Sequence, residues 1–203
     1  MNLIKSSFLC LGLGCLSAAC SPEDGGAASA ASAPFTASGE PRTVVVYFSC
    51  SGNTAKLAER IAEVTGGRTW RIEAEQPYTA ADLDYEVADS RANREQQDAA
   101  SRPAIKGHCE DLAAAQVVFI GYPIWWGEAP RVISTFLEQH DLGGKIVVPF
   151  CTSGSSPLGE SDVHLHALAP DAHWKPGKRL STHESLRALK LWIEGLELPA
   201  AQR

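Results

Sequence analysis

The stretch "YFSCSGNTAKLAERIAEVTG" (Tyr47–Gly66) passes from an apolar run through six small residues, SCSGNT, into a helical period. Those six supply hydroxyls at Ser49, Ser51 and Thr54, an amide at Asn53, and Gly52, which lets the backbone turn. Free N–H groups at a helix start, together with the helix dipole, make an anion site, and a terminal phosphate suits it. No Gly-Lys-Ser/Thr ending follows, so a triphosphate with Mg²⁺ is not indicated. The loop also lacks the G-x-G-x-x-G of dinucleotide sites. Helix capping alone needs one polar side chain, and this loop has four.

Working outward, "TVVVYF" (43–48), "VVFIG" (117–121) and "KIVVPF" (145–150) are short β-rich runs with little alternation, as in parallel strands covered on both faces. "RTWRIEA" (68–74) alternates and suits a strand nearer an edge. Pro149 weakens the third run, because proline donates nothing to a ladder, but it comes close to the strand's end. Helical periods cover Asn53–Val64, Ala129–His140 and Thr182–Leu196, and a polar helix is predicted over Asp82–Ala99. Strands alternating with helices predict a doubly wound α/β sheet, with ligands beyond the carboxyl ends of its strands. Three loops converge there: "SCSGNT", "YPIWWGEAP" and "CTSGSSPLGES". The second carries two adjacent tryptophans, which either seal the sheet or stack on a flat partner.

The N-terminal "MNLIKSSFLCLGLGCLSAAC" has one charge, Lys5, before an uncharged run too short to span a bilayer. It reads as an export signal over residues 1–19. Its end, "LSAAC", resembles a bacterial lipoprotein box in which Cys20 is lipidated, and Ser21 behind it suggests outer-membrane sorting. Residues 20–41 are rich in Ala, Ser, Gly and Pro and are expected to form a flexible tether. The globular domain is expected over 42–198, with a short tail at 199–203.

The 203 residues, 44% hydrophobic and 21% charged, suit one core. The formal charge is −6, from 18 basic and 24 acidic residues. Nothing resembles the basic stripe that a nucleic acid requires. Cys50, Cys109 and Cys151 remain once the leader and Cys20 are set aside, and no structural disulfide is expected. His164, His166 and His173 lack the spacing and company of metal ligands, so no metal site is expected.

The loop "SCSGNT" resembles the Ser/Thr-x-Ser/Thr-Gly-x-Thr phosphate loop of the flavodoxins, and "GYPIWWGEAPRVISTFLE", "PFCTSG" and "RPAIK" (102–106) are similar to a bacterial flavodoxin-like branch. The resemblance spans about 43–198. It implies a five-stranded parallel sheet of order 2-1-3-4-5 and an FMN cofactor. Its phosphate would rest on Ser49, Ser51, Asn53 and Thr54 and on the amides of Cys50 and Gly52. Pro123, Ile124, Trp125, Trp126 and Gly127 would line the flavin, with Thr152, Ser153, Gly154 and Gly159 closing the other edge and Ser155 and Ser161 as further contacts. Ser156 and Pro157 depart from a glycine-richer pattern in that third loop.

Three activities follow from the resemblance. One is an electron carrier serving a redox partner protein or a small acceptor, tethered to the periplasmic side of a membrane by its lipid alone. A second is an NAD(P)H-dependent quinone or other small-molecule reductase. A third is a binding module without flavin.

Overall fold

The computed structural model describes residues 43–199. The expectations for the signal (1–19), Cys20 and the tether (20–41), and all of the tail beyond residue 199, lie outside the described residues. The described chain runs β1 (Thr43–Tyr47), α1 (Asn53–Thr65), β2 (Arg68–Arg71), α2 (Arg91–Gln97), a 3₁₀ turn at Glu110–Ala114 and β3 (Val117–Pro123). It continues through α3 (Arg131–Gln139), β4 (Ile146–Thr152), α4 (Ser161–Leu168), β5 (His173–Trp174), β6 (Lys178–Arg179) and α5 (Leu186–Glu194).

The strands form one sheet of order β2-β1-β3-β4-β5, with β6 also on β4, and every named pairing is parallel. This is the expected 2-1-3-4-5 order, its outermost strand split in two. Strand β1 shows why its sequence does not alternate. Val44 and Val46 face a core shared with α3 and α4, while Val45 and Tyr47 face a second core with α1 and α5. Both faces are dry, so every position favours an apolar or half-apolar residue.

Strand β4 passes through Pro149 without a break, and the register explains how. Ile146 donates toward β3, whereas the carbonyls of Val147 and Cys151 accept from Lys175 and Leu180 on the other side. Alternation puts the missing N–H of Pro149 on that outer side. It falls between the two short partners: β5 pairs at 146–147 and β6 at 150–151. Gly177 crosses the gap, where a Cβ would lie 2.7 Å from the proline Cγ.

Two sequence expectations are corrected here. The predicted helix over Asp82–Ala99 is helical only at Arg91–Gln97. Its first half lacks an apolar stripe, and local polar bonds hold it in turns instead: Thr79 N and Oγ1 donate to Asp82, and Asn93 Nδ2 donates to the carbonyls of Tyr85 and Val87. The predicted strand over 68–74 pairs with β1 only to Arg71. Beyond it the chain turns to a new partner, and Ala74 bridges Ile105 in antiparallel sense, which gives the "RPAIK" segment its place. The pattern did not predict α4, β5 or β6, which are short and weakly amphipathic.

Candidate functional site

The loop between β1 and α1 is organised by its own residues. Gly52 caps α1 at φ 82°, a left-handed conformation that glycine adopts without strain. Buried Ser49 accepts from the Gly52 amide at 3.1 Å, so that amide serves the loop and is not free for a ligand as the resemblance implied. The amides of Cys50, Ser51, Asn53 and Thr54 have no acceptor among the described residues. They open at the positive end of α1, a ready cradle for an anion. Thr54 is buried, and its hydroxyl meets that of Thr152 at 2.9 Å, tying α1 to the end of β4.

The second loop closes in a tight turn. Glu128 N donates to Trp125 O at 3.0 Å and Trp125 N to Glu128 O at 2.9 Å. Trp126 (φ 49°) and Gly127 (φ 82°) at its tip are both left-handed, as a type I′ turn requires. Bulky residues rarely adopt this conformation. Trp126 is half exposed at the tip. Trp125 turns inward and packs edge-on against Phe48 at 5.6 Å and Tyr78 at 5.4 Å.

Between these loops lies a cavity of about 920 Å³, within the size range of small-molecule sites. Of the residues anticipated from sequence, Ser49, Cys50, Ser51, Thr54, Pro123, Ile124, Trp125 and Trp126 line it. Gly52 and Asn53 stand in the cradle behind. Gly127, Thr152, Ser153, Gly154 and Gly159 do not line it. The third loop packs on the second instead: a Cβ on Gly159 would come 2.4 Å from Gly127 O, and His164 of α4 reaches Glu128 at 2.9 Å. Ser161 is fully buried, its hydroxyl engaged with Tyr122 and Leu158 O, and Ser155 uses its carbonyl to hold Arg179.

Sequence reasoning missed the remaining wall, which comes from the end of β2 and the long connection to β3. Arg71, Glu73, Tyr78, Leu83, Tyr85 and Lys106 all face the cavity. Arg71 was within reach, since it ends a strand beside the β1 loop and its guanidinium donates to Ser49 O at 3.3 Å. Tyr78 carried no signal in its polar surroundings. Its hydroxyl donates to Glu95 at 2.5 Å, and Arg91 lies 4.2 Å from the ring centre while also pairing with Glu95 at 2.7 Å. Burial, then the Glu95 carboxylate, pushes the phenol far above its ordinary range, so it stays protonated.

Cys50, Cys109 and Cys151 are free thiols. Burial in the core pushes Cys109 and Cys151 up to about 12, so neither forms a reactive thiolate near neutral pH, whereas Cys50 is exposed at the cavity and its thiol is raised by partial desolvation. Among the described residues no group of three or more metal-ligating side chains is assembled. His166 leans on Trp174, with ring centres 4.4 Å apart.

The residues present fit a phosphorylated planar cofactor: an anion cradle of unclaimed amides adjoins an aromatic-walled cavity, with the cations Arg71 and Lys106 on its rim. No curated protein matches the chain. Solved structures do. A protein classed as a flavoprotein from Bacteroides eggerthii DSM 20697 is 44% identical, with 78% of this chain and 99% of that one covered at a TM-score of 0.74. Its counterpart from Bacteroides uniformis ATCC 8492 is 41% identical over 76% and 99%, at 0.72. A flavoprotein of Lactobacillus acidophilus NCFM, solved in complex with FMN, is 26% identical over 68% and 93%, at 0.58. Residues 42–196 match the family described as Flavodoxin, nearly the whole span that sequence assigned to the domain, and the chain belongs to that family.

Proposed function

We propose that this chain is an FMN-binding electron-transfer protein, held at the periplasmic side of a bacterial membrane by a lipid on Cys20. The observation that carries the FMN reading is the cradle at the mouth of α1 opening into the aromatic cavity. Bound there, FMN supplies one- and two-electron chemistry that no side chain offers. The protein's part is placement and electrostatics. The amides of Cys50, Ser51, Asn53 and Thr54 and the positive end of α1 take the phosphate, with Arg71 and Lys106 adding charge nearby. Trp125, braced edge-on by Phe48 and Tyr78, gives the ring a rigid apolar wall. Tyr78, spoken for by Glu95, bounds the cavity as a neutral group and exchanges no proton there.

The tether and export rest on the sequence of residues 1–41. Among the described residues no helix is long and apolar enough to cross a membrane. Incubating the purified protein with FMN, desalting it and recording its visible spectrum tests the cofactor. Retained flavin bands support the reading, and a colourless folded protein overturns it. Mass spectrometry of the N-terminal peptide from cells tests the lipid, which would sit on Cys20.

A second reading is a small-molecule oxidoreductase. It is favoured by the wall that Leu83, Tyr85 and Lys106 add beyond the flavin loops anticipated from sequence. Steady turnover of NADH with a quinone would support it over carriage.

A further inference from the structure

We propose that Gln96, near the end of α2, is the positioning residue that holds the Trp125–Glu128 turn in its binding shape, and through it the aromatic wall of the cavity. The inference rests on the FMN reading for its functional meaning and on geometry for its content. The Gln96 Nε2 donates to Trp125 O at 3.0 Å and to Ala129 O at 3.3 Å, so one amide group straddles the turn from its first residue to the residue after its last. Both partners are carbonyls, so only the donor end of the side chain satisfies them.

Four further observations give this contact its purpose. Trp126 at φ 49° holds a conformation that a bulky residue keeps only when its surroundings over-determine it. The backbone of α2 adds to the hold: Gln96 O and Glu95 O accept from Arg131 at 2.9 and 3.4 Å, and Arg131 pairs with Glu128, the last residue of the turn, at 3.3 Å. The Gln96 Oε1 is buried with no partner among the described residues. A buried acceptor left open is costly, and an apolar side chain of the same length would avoid that cost. What the amide gives in return is its two donated bonds. Glu95, the preceding residue, holds Tyr78 by its hydroxyl, so one short helix braces two of the aromatic residues that wall the cavity.

The test compares Gln96→Met, which fills the space without donating, Gln96→Glu, which is closer in shape but sets a carboxylate against two carbonyls, and Arg102→Ala. Arg102 joins the same connection to Glu138 at 2.8 Å, outside the cavity. The readouts are FMN affinity by fluorescence titration, near-ultraviolet circular dichroism of the tryptophans with and without FMN, and melting temperature. Gln96→Met should weaken FMN about tenfold, as expected for two lost hydrogen bonds, and change the tryptophan dichroism. Gln96→Glu should do both more severely despite its better fit, and Arg102→Ala should move neither. If the Gln96 variants lower only the melting temperature, or if Gln96→Glu behaves better than Gln96→Met, the residue is a space-filler and the proposal is overturned. If the unaltered protein itself retains no FMN, the cofactor reading fails. The tryptophan dichroism of the flavin-free protein then decides the positioning role by itself: a change in Gln96→Met supports it, and its absence overturns it.

Discussion

The two flanks of the cavity are built on opposite plans. The β1–α1 flank takes its shape from its own chain: Ser49 and Gly52 and the first turn of α1 form the cradle, while Thr54 and Ser49 reach out to Thr152 and Arg71. The aromatic flank is assembled from a distance, since the turn at Trp125–Glu128 leans on Gln96 and Arg131 and on His164 of α4, while Tyr78 leans on Arg91 and Glu95. A wall of borrowed contacts is only as good as the packing behind it, and many substitutions can spoil it.

The largest effect that would sharpen this contrast is expected from Gly159→Ala. The new methyl would sit 2.4 Å from Gly127 O, backbone against backbone, at a glycine of φ 65°. A cost of about 3 kcal/mol, from overpacking and left-handed strain together, should lower the melting temperature by roughly 6–12 °C for a domain this size. Thermal denaturation followed by circular dichroism reads it. An unchanged midpoint would show that the third loop is free to move off the second.

Next comes Gly52→Ala on the local flank. Nothing lies within 4 Å of the added methyl, so the cost is conformational alone, about 1–2 kcal/mol at φ 82°. FMN affinity should fall by about tenfold as the cradle opens, with little change in tryptophan dichroism. A change in that dichroism would mean the flanks are coupled after all.

Tyr78→Phe should cost about 1.5 kcal/mol, the low end for a hydrogen bond to a charged group, because Arg91 still pairs with Glu95 and the ring keeps its contacts with Phe48 and Trp125. Urea denaturation would measure it, and a loss of FMN binding beyond threefold would give the hydroxyl a role at the cofactor that its bond to Glu95 does not suggest.

The legibility of the sequence follows the same division. The strands and the first loop could be read because their signals are contiguous: a run of β-branched residues, then small polar ones, then a 3.6-residue period. The sheet order came through the resemblance to flavodoxins, not from any periodicity. Tyr78, Arg71 and Gln96 could not be found that way, since each acts on residues 22 to 47 positions away in the chain or across the fold. The helix expected over Asp82–Ala99 failed for a related reason. Its polar side chains serve turns and distant carbonyls, and composition does not distinguish that use from a solvated helical face. The strand through Pro149 was legible, but the reason the proline is tolerated, a gap between two short neighbouring strands, was not.

The smallest effect concerns pH and tests whether the core behind the wall is quiet. His140 is buried, its Nε2 accepting from Cys109 N at 3.1 Å and its Nδ1 donating to Phe136 O at 2.9 Å, so the ring is neutral. Burial holds its pKa below the ordinary value. The unfolded chain therefore binds the extra proton, and stability should decline as pH falls below about 6.5. Glu138, held low by Arg102, and Asp82, held low by Thr79, add a separate loss only below the usual carboxylate range. Urea midpoints between pH 7.5 and 5 should show a shallow slope that His140→Gln flattens. A slope that survives this substitution would point to another group.

The gap at Pro149 has a consequence for a protein crowded on a surface. A sheet's last strand ordinarily offers neighbours a row of free amides and carbonyls, which invites a second sheet to join it. Here that border consists of two dipeptides separated by Lys175, Pro176 and Gly177, too short and too interrupted to template a partner. If the proposed lipid on Cys20 gathers copies at high local density, this border gives them little strand to pair with.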